Sequence, residues 1–313
     1  MSSIFLERAC PVCFGRSYVL FAKENFDPKR FGPLTYASRK PPEYMCLRLV
    51  RCSSCDLIYA PTPPGCQYLQ VAYGVAGFDS GQEAIAAAKT YAEALAPLLK
   101  KLTRRGVAID VGAGSGALLP WLKEQGFRTV IGIEPSRAAV ESAPPSIRYM
   151  LREGMFSRSI LKDETPSLIC SFMTLEHMAD PYTFASIAHE KLEPGGALAM
   201  VVHNWRSPIN RFLGLRSPII DVEHLQLFSP QSLNLLLMKT GFEQISMISV
   251  CNSYPLSYWL RLTPLPSKMK NIFLDLIRAL RIENCHFSLN VGNMLAIGIK
   301  TGLPPGAVDN SGL

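Results

Sequence analysis

The stretch Asp110-Val-Gly-Ala-Gly-Ser-Gly116 decides the fold class. It follows the apolar run Val107–Val111 and precedes residues 117–125, whose apolar positions repeat at helical spacing. The stretch contains three glycines at alternate positions, Gly112, Gly114 and Gly116. Glycine lets a backbone turn sharply and approach a ligand closely, and the N-terminus of the next helix can face polar groups. A strand, a glycine-rich loop and a helix in this order indicate a site for a nucleotide-like cofactor.

Segments with strand and helix patterns alternate around this loop. Predicted strands cover 107–111, 129–134, 147–151, 167–172, 197–203, 242–250 and 293–300, and predicted helices cover 117–125, 136–142, 181–192 and 229–240. Alternating strands and helices pair in parallel through right-handed crossovers. The sequence therefore predicts an α/β fold with a doubly wound, mostly parallel, Rossmann-like sheet.

The chain divides by composition. Residues 1–78 are rich in Cys, Pro and Tyr and lack long periodic runs, so we predict a small irregular module there. The main domain should span 79–302, entered through an amphipathic helix at 82–102 that is interrupted or kinked at Pro97. An insertion is predicted at about 254–285 and a flexible tail at 303–313.

Two acidic residues flank the loop. Glu134 ends the next predicted strand, where a carboxylate can accept hydrogen bonds from ribose hydroxyls. The glycine spacing also fits the dinucleotide pattern, so an NAD(P)-dependent enzyme is an alternative. Asp110 favours the cationic amino-acid end of S-adenosylmethionine, because a carboxylate at this position would repel a pyrophosphate.

Four stretches resemble successive motifs of class I S-adenosylmethionine-dependent methyltransferases. They are Asp110–Gly116, Ile131–Pro135, Thr174–Pro181 and Leu192–Gly196, and the resemblance covers about residues 105–250. It implies a methyltransferase in which Asp110, Gly112, Gly114, Gly116 and Glu134 line the cofactor, with Phe172, Met173 and Thr174 close to it.

Four cysteines have the spacing of a metal site. The pairs Cys10-Pro-Val-Cys13 and Cys52-Ser-Ser-Cys55 can supply the four thiolates that a structural zinc prefers. Cys46 and Cys66 are spare candidates, and buried reduced cysteines are the simpler alternative. The arrangement also resembles the N-terminal zinc-binding segment of methyltransferases that act on sugars.

Histidines after predicted strands are the candidates for acid–base chemistry. His177, beside Glu176, follows the strand at 167–172, and His203 ends the strand at 197–203. His224 lies in a later loop near Asp221 and Glu223, and the alternative for Glu176 and His177 is that they only pack the loop. The aromatic residues Tyr68, Tyr73 and Phe78 are candidates for a lid or for simple packing.

The insertion contains an amphipathic segment at 271–282, preceded by Trp259, Lys268 and Lys270. Such a segment either lies in a membrane interface, with a lipid-linked acceptor, or forms a lid or a dimer contact. The chain lacks a secretory signal pattern and any run of about 18 apolar residues. We therefore expect a cytoplasmic protein, at the inner face of the membrane if the insertion binds lipid.

The function that combines these features is methyl transfer from S-adenosylmethionine to a small-molecule or sugar-type acceptor. Oxygen is the default attacking atom and carbon the second choice. The alternatives are the NAD(P)-dependent enzyme and a catalytically inactive, zinc-containing binding or scaffold protein. The formal net charge is +7, but the basic residues are scattered, so no nucleic-acid partner is expected. The sequence does not indicate the oligomeric state.

Overall fold

A computed structural model describes residues 5–27, 29, 35–36, 43–77, 81–102, 104–162, 164–263 and 265–302. The strands are β1 (Tyr18–Ala22), β2 (Leu49–Cys52), β3 (Ile58–Tyr59), β4 (Val107–Val111), β5 (Thr129–Glu134), β6 (Leu151–Glu153), β7 (Pro166–Phe172), β8 (Ala197–His203), β9 (Gln226–Leu227), β10 (Glu243–Pro255) and β11 (His286–Ile299). The helices are α1 (Cys66–Gly74), α2 (Gly81–Leu99), α3 (Leu119–Glu124), α4 (Arg137–Ser142), α5 (Pro145–Arg148), α6 (Arg158–Leu161), α7 (Pro181–Lys191), α8 (Pro208–Leu213), α9 (Pro230–Lys239), α10 (Leu256–Leu262) and α11 (Ser267–Ala279).

The main sheet has seven strands in the order β10-β11-β8-β7-β4-β5-β6. The five strands from β8 to β6 pair in parallel, whereas β11 runs antiparallel to both β8 and β10. This arrangement confirms the predicted doubly wound, mostly parallel α/β fold. The ends of β4 and β7 are neighbours, so the loops that follow them meet at one edge of the sheet.

Helices cover both faces of this sheet. Side chains alternate along a strand, so Ala108 of β4 packs with α2 and α3, whereas Ile109 packs with α7 and α9. Both faces of the central strands are apolar, as parallel strands require. The core on the α7 side also includes Cys10, Cys52 and Cys55, so it continues into the N-terminal segment.

A second sheet of four antiparallel strands has the order β1-β2-β3-β9. Its first three strands come from the cysteine-rich N-terminal segment, and its fourth is β9, which lies late in the chain. The prediction of an irregular module missed this sheet, because its strands are only two to five residues long. Such short strands leave no periodic signal in the sequence.

Most predicted elements of the main domain are present, and several differ in their bounds. The strand predicted at 147–151 was wrong except at its last residue, because α5 covers Pro145–Arg148 and the strand begins only at Leu151. Proline at the first helical position favours a helix there, because its φ angle is already helical. The strands predicted at 242–250 and 293–300 belong to a longer hairpin, β10–β11, and α2 continues past Pro97 to Leu99.

The insertion predicted at 254–285 lies at the far end of this hairpin and contains α10 and α11. In the described residues, no helix is both long and apolar enough to cross a membrane. The predicted flexible tail at 303–313 and Phe78 lie outside the described residues.

Candidate active site

A cavity of about 560 Å³ opens where the loops after β4, β5, β7 and β8 meet. Its lining also includes Tyr36 and Tyr73 from the N-terminal segment, the loop at 218–224, and Tyr258 and Trp259 of α10. The predicted cofactor and catalytic residues all line this cavity, except Gly116 and Glu176. The carboxyl edge of a parallel sheet is where open α/β folds bind ligands.

The glycine-rich loop forms one end of the cavity. Gly112, Gly114 and Gly116 all have positive φ angles, of 77°, 55° and 78°, which other residues adopt only with strain. A Cβ atom on Gly112 would lie 2.3 Å from Oγ1 of Thr174. The backbone N–H groups of Gly112 and Ala113 both donate to the carbonyl oxygen of Ile133, at 2.9 and 3.1 Å, which fixes the loop against β5.

Glu134 holds the same loop from the end of β5. One carboxylate oxygen accepts a hydrogen bond from the N–H of Gly114, and the other accepts from the N–H of Ser136, both at 2.8 Å. Burial raises the pKa of Glu134, and these two hydrogen bonds partly offset that effect. Glu134 therefore positions the loop and also presents acceptor lone pairs to the cavity.

Asp110 lies at the end of β4 and is 5% exposed. Burial, and secondarily the charge of Glu134, raises the pKa of Asp110 to about 7. Two carboxylates in one buried region stabilise a cationic ligand, because its charge compensates their desolvation. An anionic pyrophosphate at the same place would add to the repulsion.

Residues after β7 form the wall beside the loop. The ring of Phe172 packs edge-on against Tyr91, with centroids 5.3 Å apart. Met173 has a positive φ angle of 56°, and its N–H donates to the carbonyl oxygen of Val201 at 2.7 Å. Thr174 donates from its hydroxyl to the carbonyl oxygen of Phe172. This turn brings all three predicted cofactor neighbours to the cavity.

The three candidate histidines lie together in the lining of the same cavity. The ring of His224 is 4.8 Å from that of His177 and 5.4 Å from that of His203, measured between centroids. Glu223 joins them, with its Oε2 3.7 Å from Nδ1 of His177. The sequence suggested three separate histidines, and the fold makes them one cluster.

Hydrogen bonds fix the tautomers of two of these histidines. Nδ1 of His224 lies 2.8 Å from the carbonyl oxygen of Ile219, which can only accept, so Nδ1 carries the proton. Nδ1 of His203 lies 2.8 Å from Oδ1 of Asn293, which also accepts. In neutral His224 and His203, Nε2 is therefore the nitrogen with the lone pair.

Asn293 is oriented from behind by a buried polar chain. Its side-chain N–H donates to Oδ1 of Asn252 at 2.6 Å, and Asn252 donates to the hydroxyls of Tyr91 and Tyr254, both at 3.3 Å. Sequence analysis missed both asparagines. An antiparallel strand commonly has one polar face toward solvent, so a polar residue in β10 or β11 does not stand out in the sequence unless it is known to face the core.

Glu176 lies beneath the cavity, fully buried, and does not line it. Its Oε1 accepts a hydrogen bond from the N–H of His203 at 2.6 Å, and burial raises its pKa to about 7. Its backbone carbonyl accepts from the N–H of Leu225 at 2.9 Å. Glu176 therefore connects the β8 end to the segment that carries His224.

Tyr73 belongs to the histidine end of the cavity, 6.1 Å from the ring of His177 and 5.2 Å from that of Tyr36. Burial, and secondarily Glu223, raises its pKa well above the usual tyrosine value. The sequence suggested Tyr73 only as a candidate for a lid or for packing. No local pattern links α1 to His177 or Glu223, which lie more than 100 positions later in the chain. Tyr68 contacts Tyr36 at 6.4 Å and is 38% exposed.

Comparison with known families decides the class of enzyme. A family described as "Methyltransferase domain" matches residues 84–247, which include the glycine loop, both acidic residues and the three histidines. The chain belongs to this methyltransferase family. With the acidic cofactor end described above, it is a class I S-adenosylmethionine-dependent methyltransferase, and the NAD(P)-dependent and inactive-scaffold alternatives are set aside. No curated protein matches the sequence.

Several solved structures are similar to the methyltransferase. One is a SAM-dependent methyltransferase from Thermotoga maritima, with 21% identity, a TM-score of 0.45, and coverage of 69% of this chain and 91% of that one. Another, from Archaeoglobus fulgidus, has 15% identity, a TM-score of 0.47, and coverage of 68% and 94%. A geranyl diphosphate C-methyltransferase from Streptomyces coelicolor A3(2) has 13% identity, a TM-score of 0.44, and coverage of 68% and 79%. At these values the matches carry no information about the acceptor.

The methyltransferase also gathers its four predicted metal-site cysteines. The sulfur atoms of Cys10, Cys13, Cys52 and Cys55 all lie within 4.8 Å of one another. Cys10 is 3.5 Å from Cys55 and Cys13 is 3.4 Å from Cys52, close to the roughly 3.8 Å expected between thiolates around a tetrahedral zinc. The spare candidates are elsewhere: Cys46 contacts the carbonyl of Lys23, and Cys66 lines the cavity.

The two cysteine pairs have the same local geometry. In each turn, the residue after the second cysteine has a φ angle of 65°, Phe14 in one and Asp56 in the other. In each, its N–H donates to the carbonyl of the first cysteine, Cys10 or Cys52. Two equivalent tight turns that face each other present two sulfur atoms each, which is the donor arrangement that a closed tetrahedral site requires.

The cysteine-bearing segment is bonded directly to the catalytic part of the methyltransferase. The guanidinium of Arg8 donates to the carbonyls of Ala60, Ala179 and Leu225, and β3 pairs with β9. Because β9 follows directly after Glu223 and His224, the small sheet holds the histidine end of the cavity in place.

Proposed function

We propose that the enzyme transfers the methyl group of S-adenosylmethionine to a hydroxyl oxygen of a sugar-type acceptor, with His224 as the general base. The observation that carries the proposal is that the histidine cluster and the acidic glycine loop line the same cavity. The acidic loop suits a cationic nucleoside, and the histidine cluster suits a hydroxyl-rich acceptor. The methyl group would be transferred between them.

The residues that would hold the donor follow from the geometry around the acidic glycine loop. Gly112, Gly114 and Gly116 give close backbone approach, Glu134 would accept from the ribose, and Asp110 would face the cationic amino-acid end. Phe172, Met173 and Thr174 would line its side. The bound donor supplies an electrophilic methyl group on a positively charged sulfur.

His224 has the properties of a base for this reaction. Methyl transfer is an in-line displacement: the acceptor oxygen forms a bond to the methyl carbon as the carbon–sulfur bond breaks and its electron pair stays on sulfur. The hydroxyl proton must leave, and Nε2 of His224 would take it, since the Ile219 carbonyl keeps the proton on Nδ1. Glu223 lies near enough to stabilise the imidazolium that results.

The remaining polar groups favour a sugar over an apolar acceptor. Asp221, Glu223 and His177 line the same cavity and can hydrogen bond to neighbouring hydroxyls, while the rings of Tyr36 and Tyr73 can cover an apolar sugar face. The resemblance of the cysteine segment to that of sugar methyltransferases supports the same class.

We further propose that residues 1–78 form a zinc-binding module, with zinc held by Cys10, Cys13, Cys52 and Cys55. Four thiolates on two facing turns fit this ion in number, kind and spacing. The role is structural, because the four sulfur atoms would complete the coordination. Elemental analysis should find one zinc per chain, and Cys52→Ser should lose it. Full zinc content in the Cys52→Ser variant would contradict the assignment.

The proposed reaction is tested in two steps. Isothermal titration should detect binding of S-adenosylhomocysteine, and donor with a labelled methyl group should label an acceptor in an extract, found by mass spectrometry. Fragmentation of the labelled product then identifies the methylated atom. A methyl group on carbon would overturn the choice of oxygen, and a labelled product that is not a sugar would overturn the acceptor class.

With that acceptor, His224→Asn should lower kcat by about 10²–10⁴-fold, since asparagine can keep the hydrogen bond to Ile219 but cannot act as a base. Binding of S-adenosylhomocysteine should be unchanged. His189→Asn is the matched control, because His189 packs against Phe242 away from the cavity. Loss of activity in both variants, or in neither, would contradict the role of His224.

A further inference from the structure

The helix α11 carries an apolar face that points away from the protein. Five large apolar side chains recur at helical spacing and are 39–65% exposed: Met269, Ile272, Phe273, Leu276 and Leu280. Their spacing places them on one stripe of the helix surface. An amphipathic helix normally turns such a stripe toward the core, so this orientation is unusual.

A different side of α11 packs against the protein. Ile277 is buried, and Lys270 donates from its amino group to the carbonyl oxygen of Arg261 at 2.8 Å, which fastens α11 to α10. Asn271, Asp275 and Arg278 occupy a third side, and Arg278 pairs with Asp275. The orientation of the helix is therefore fixed by contacts, and within the described residues nothing covers its apolar stripe.

Further exposed apolar residues lie on β11 and α8, which contact each other. Phe287 and Leu289 at the start of β11 are 49% and 46% exposed. Next to them, Asn290 shares a shallow surface hollow with Ile209 and Phe212 of α8, and Phe212 is 88% exposed. We call these residues, together with the stripe on α11, the apolar surface.

Basic residues accompany the apolar surface. Lys268 and Arg281 are exposed near the two ends of α11, whereas Lys270 is bonded to the carbonyl of Arg261 and Arg278 pairs with Asp275. Around α8, Arg211 and Arg216 are exposed, whereas Arg206 pairs with Asp56. Large apolar side chains bordered by lysine and arginine are the combination that binds the interface of an anionic membrane.

We propose that α11 and the neighbouring apolar surface dock the enzyme on an anionic lipid bilayer. The basic residues attract the surface, and the apolar side chains enter the boundary between headgroups and acyl chains. A protein partner of matching shape would explain the apolar residues but would not account for basic charge beside both α11 and α8. Charge complementarity therefore favours the lipid surface.

Docking in this way would also place the cavity entrance near the membrane. The hairpin β10–β11 extends past the last pairing with β8, at Asn293 and His203, and α10 at its end lines the cavity with Tyr258 and Trp259. Trp259 is fixed by a hydrogen bond to the carbonyl of Phe287. If the proposed function holds, this position suits a sugar acceptor carried on a lipid.

The docking is tested with the full chain and vesicles, without any acceptor. The protein should co-sediment with vesicles of phosphatidylcholine and phosphatidylglycerol, less with phosphatidylcholine alone, and less as salt is raised. The double variant Ile272→Glu, Leu276→Glu should lower partitioning roughly tenfold or more, since two charges replace side chains that would enter the lipid. Binding of S-adenosylhomocysteine checks that this variant is folded.

The matched control is the double variant Tyr149→Glu, Met238→Glu. These residues are 76% and 59% exposed and lie away from α11, Tyr149 just before the edge strand β6 and Met238 on α9. Their replacement should leave vesicle binding unchanged. Absence of wild-type binding to anionic vesicles, or equal loss in both double variants, would overturn the proposal.

Sedimentation velocity distinguishes the remaining occupant, a second copy of the chain. A wild-type dimer that becomes monomeric in Ile272→Glu, Leu276→Glu would also overturn lipid docking, because the apolar surface would then be a dimer interface. None of these measurements uses an acceptor. Failure of the proposed reaction would therefore leave the docking result intact, and failure of docking would leave the proposed reaction intact.

Discussion

At the scale of single residues, the cofactor end depends on backbone conformations that only glycine adopts without strain. Gly112 and Gly195 have nearly equal φ angles, 77° and 81°, but different surroundings. A Cβ on Gly112 would lie 2.3 Å from Thr174, whereas a Cβ on Gly195 would meet no atom within 4 Å. The two positions therefore separate the cost of the left-handed conformation from the cost of a clash.

Gly112→Ala should lower the free energy of unfolding by about 1–3 kcal/mol more than Gly195→Ala, because it adds overpacking to the same backbone strain. It should also abolish binding of S-adenosylhomocysteine, which Gly195→Ala should leave intact. Urea unfolding and isothermal titration measure the two effects. Equal destabilisation by the two substitutions would mean that Thr174 moves freely, contrary to its position in the turn.

If Asp110 faces the donor as proposed, donor binding should depend on pH. Its pKa in the folded protein is raised to about 7, so the free enzyme binds a proton as pH falls through 7. A cationic ligand favours the ionised carboxylate, so binding should release that proton. The affinity for S-adenosylhomocysteine, which keeps the cationic amino group, should fall by up to about tenfold per pH unit below 7.

Isothermal titration from acidic to mildly alkaline pH, in buffers of different ionisation enthalpy, measures both the affinity and the protons released. Asp110→Asn should bind more weakly at high pH and show a flatter profile near pH 7. Glu176 has a similar raised pKa but lies outside the cavity, so Glu176→Gln should keep the wild-type profile. An unchanged profile in Asp110→Asn would rule out this carboxylate as the titrating group.

At the scale of elements, Arg8 connects the cysteine-bearing segment to the segments around α7 and β9. Its guanidinium donates to three backbone carbonyls and to the side chain of Gln226, and burial lowers its pKa to about 10. Gln226 in turn donates to the carbonyls of Leu175 and Met178, at 2.7 and 2.8 Å. One arginine and one glutamine thus join three parts of the chain.

Arg8→Met should lower the free energy of unfolding by about 3 kcal/mol, because the carbonyls of Ala60 and Ala179 would lose the donor that Arg8 supplies, although the carbonyl of Leu225 keeps the N–H of Ala60. Arg16→Met is the control, since Arg16 belongs to the same segment and is exposed. Denaturant unfolding followed by circular dichroism measures the difference. A loss of similar size in both variants would show that the hydrogen bonds of Arg8 are not responsible.

The sequence predicted elements well where local pattern and tertiary structure agree. The strands β4, β5 and β8 are buried apolar runs, and their predicted bounds are correct. The strand predicted at 147–151 failed because apolar side chains there suit a short helix equally well, and the prolines before it favour the helix. The small sheet was missed because its fourth strand, β9, lies about 170 residues after the third.

At the scale of the whole molecule, the candidate site brings together residues that are far apart in the chain, and local sequence patterns do not predict such contacts. Asp110, Glu134 and the glycines were found because one motif carries them. The histidine cluster was found only as separate candidates, since His177, His203 and His224 meet through the order of the strands. Tyr73 and Asn293 approach the cluster from the N-terminal segment and from β11. No spacing rule links positions so far apart in the chain.

The two proposed halves of the cavity are held by different sheets. The proposed donor half is formed at the ends of β4, β5 and β7 of the main sheet. His224 instead lies just before β9, which belongs to the small sheet. The four cysteines belong to or pack against the core on the α7 face of the main sheet, which also includes residues of the small sheet, whereas the core on the α2–α3 face contains none of them. Loss of the proposed zinc should therefore disturb the acceptor half first.

Treatment with a chelator should lower kcat strongly with the identified acceptor while the affinity for S-adenosylhomocysteine stays close to that of the zinc-loaded enzyme, because the core on the α2–α3 face of the main sheet contains none of the four cysteines. Readdition of zinc should restore turnover in the wild type but not in Cys52→Ser. Cys251→Ser is the control, since Cys251 is an exposed cysteine in β10, outside the cluster. Parallel loss of donor binding and turnover would show that the two halves unfold together, and then the cysteine cluster would stabilise the whole domain rather than the acceptor half.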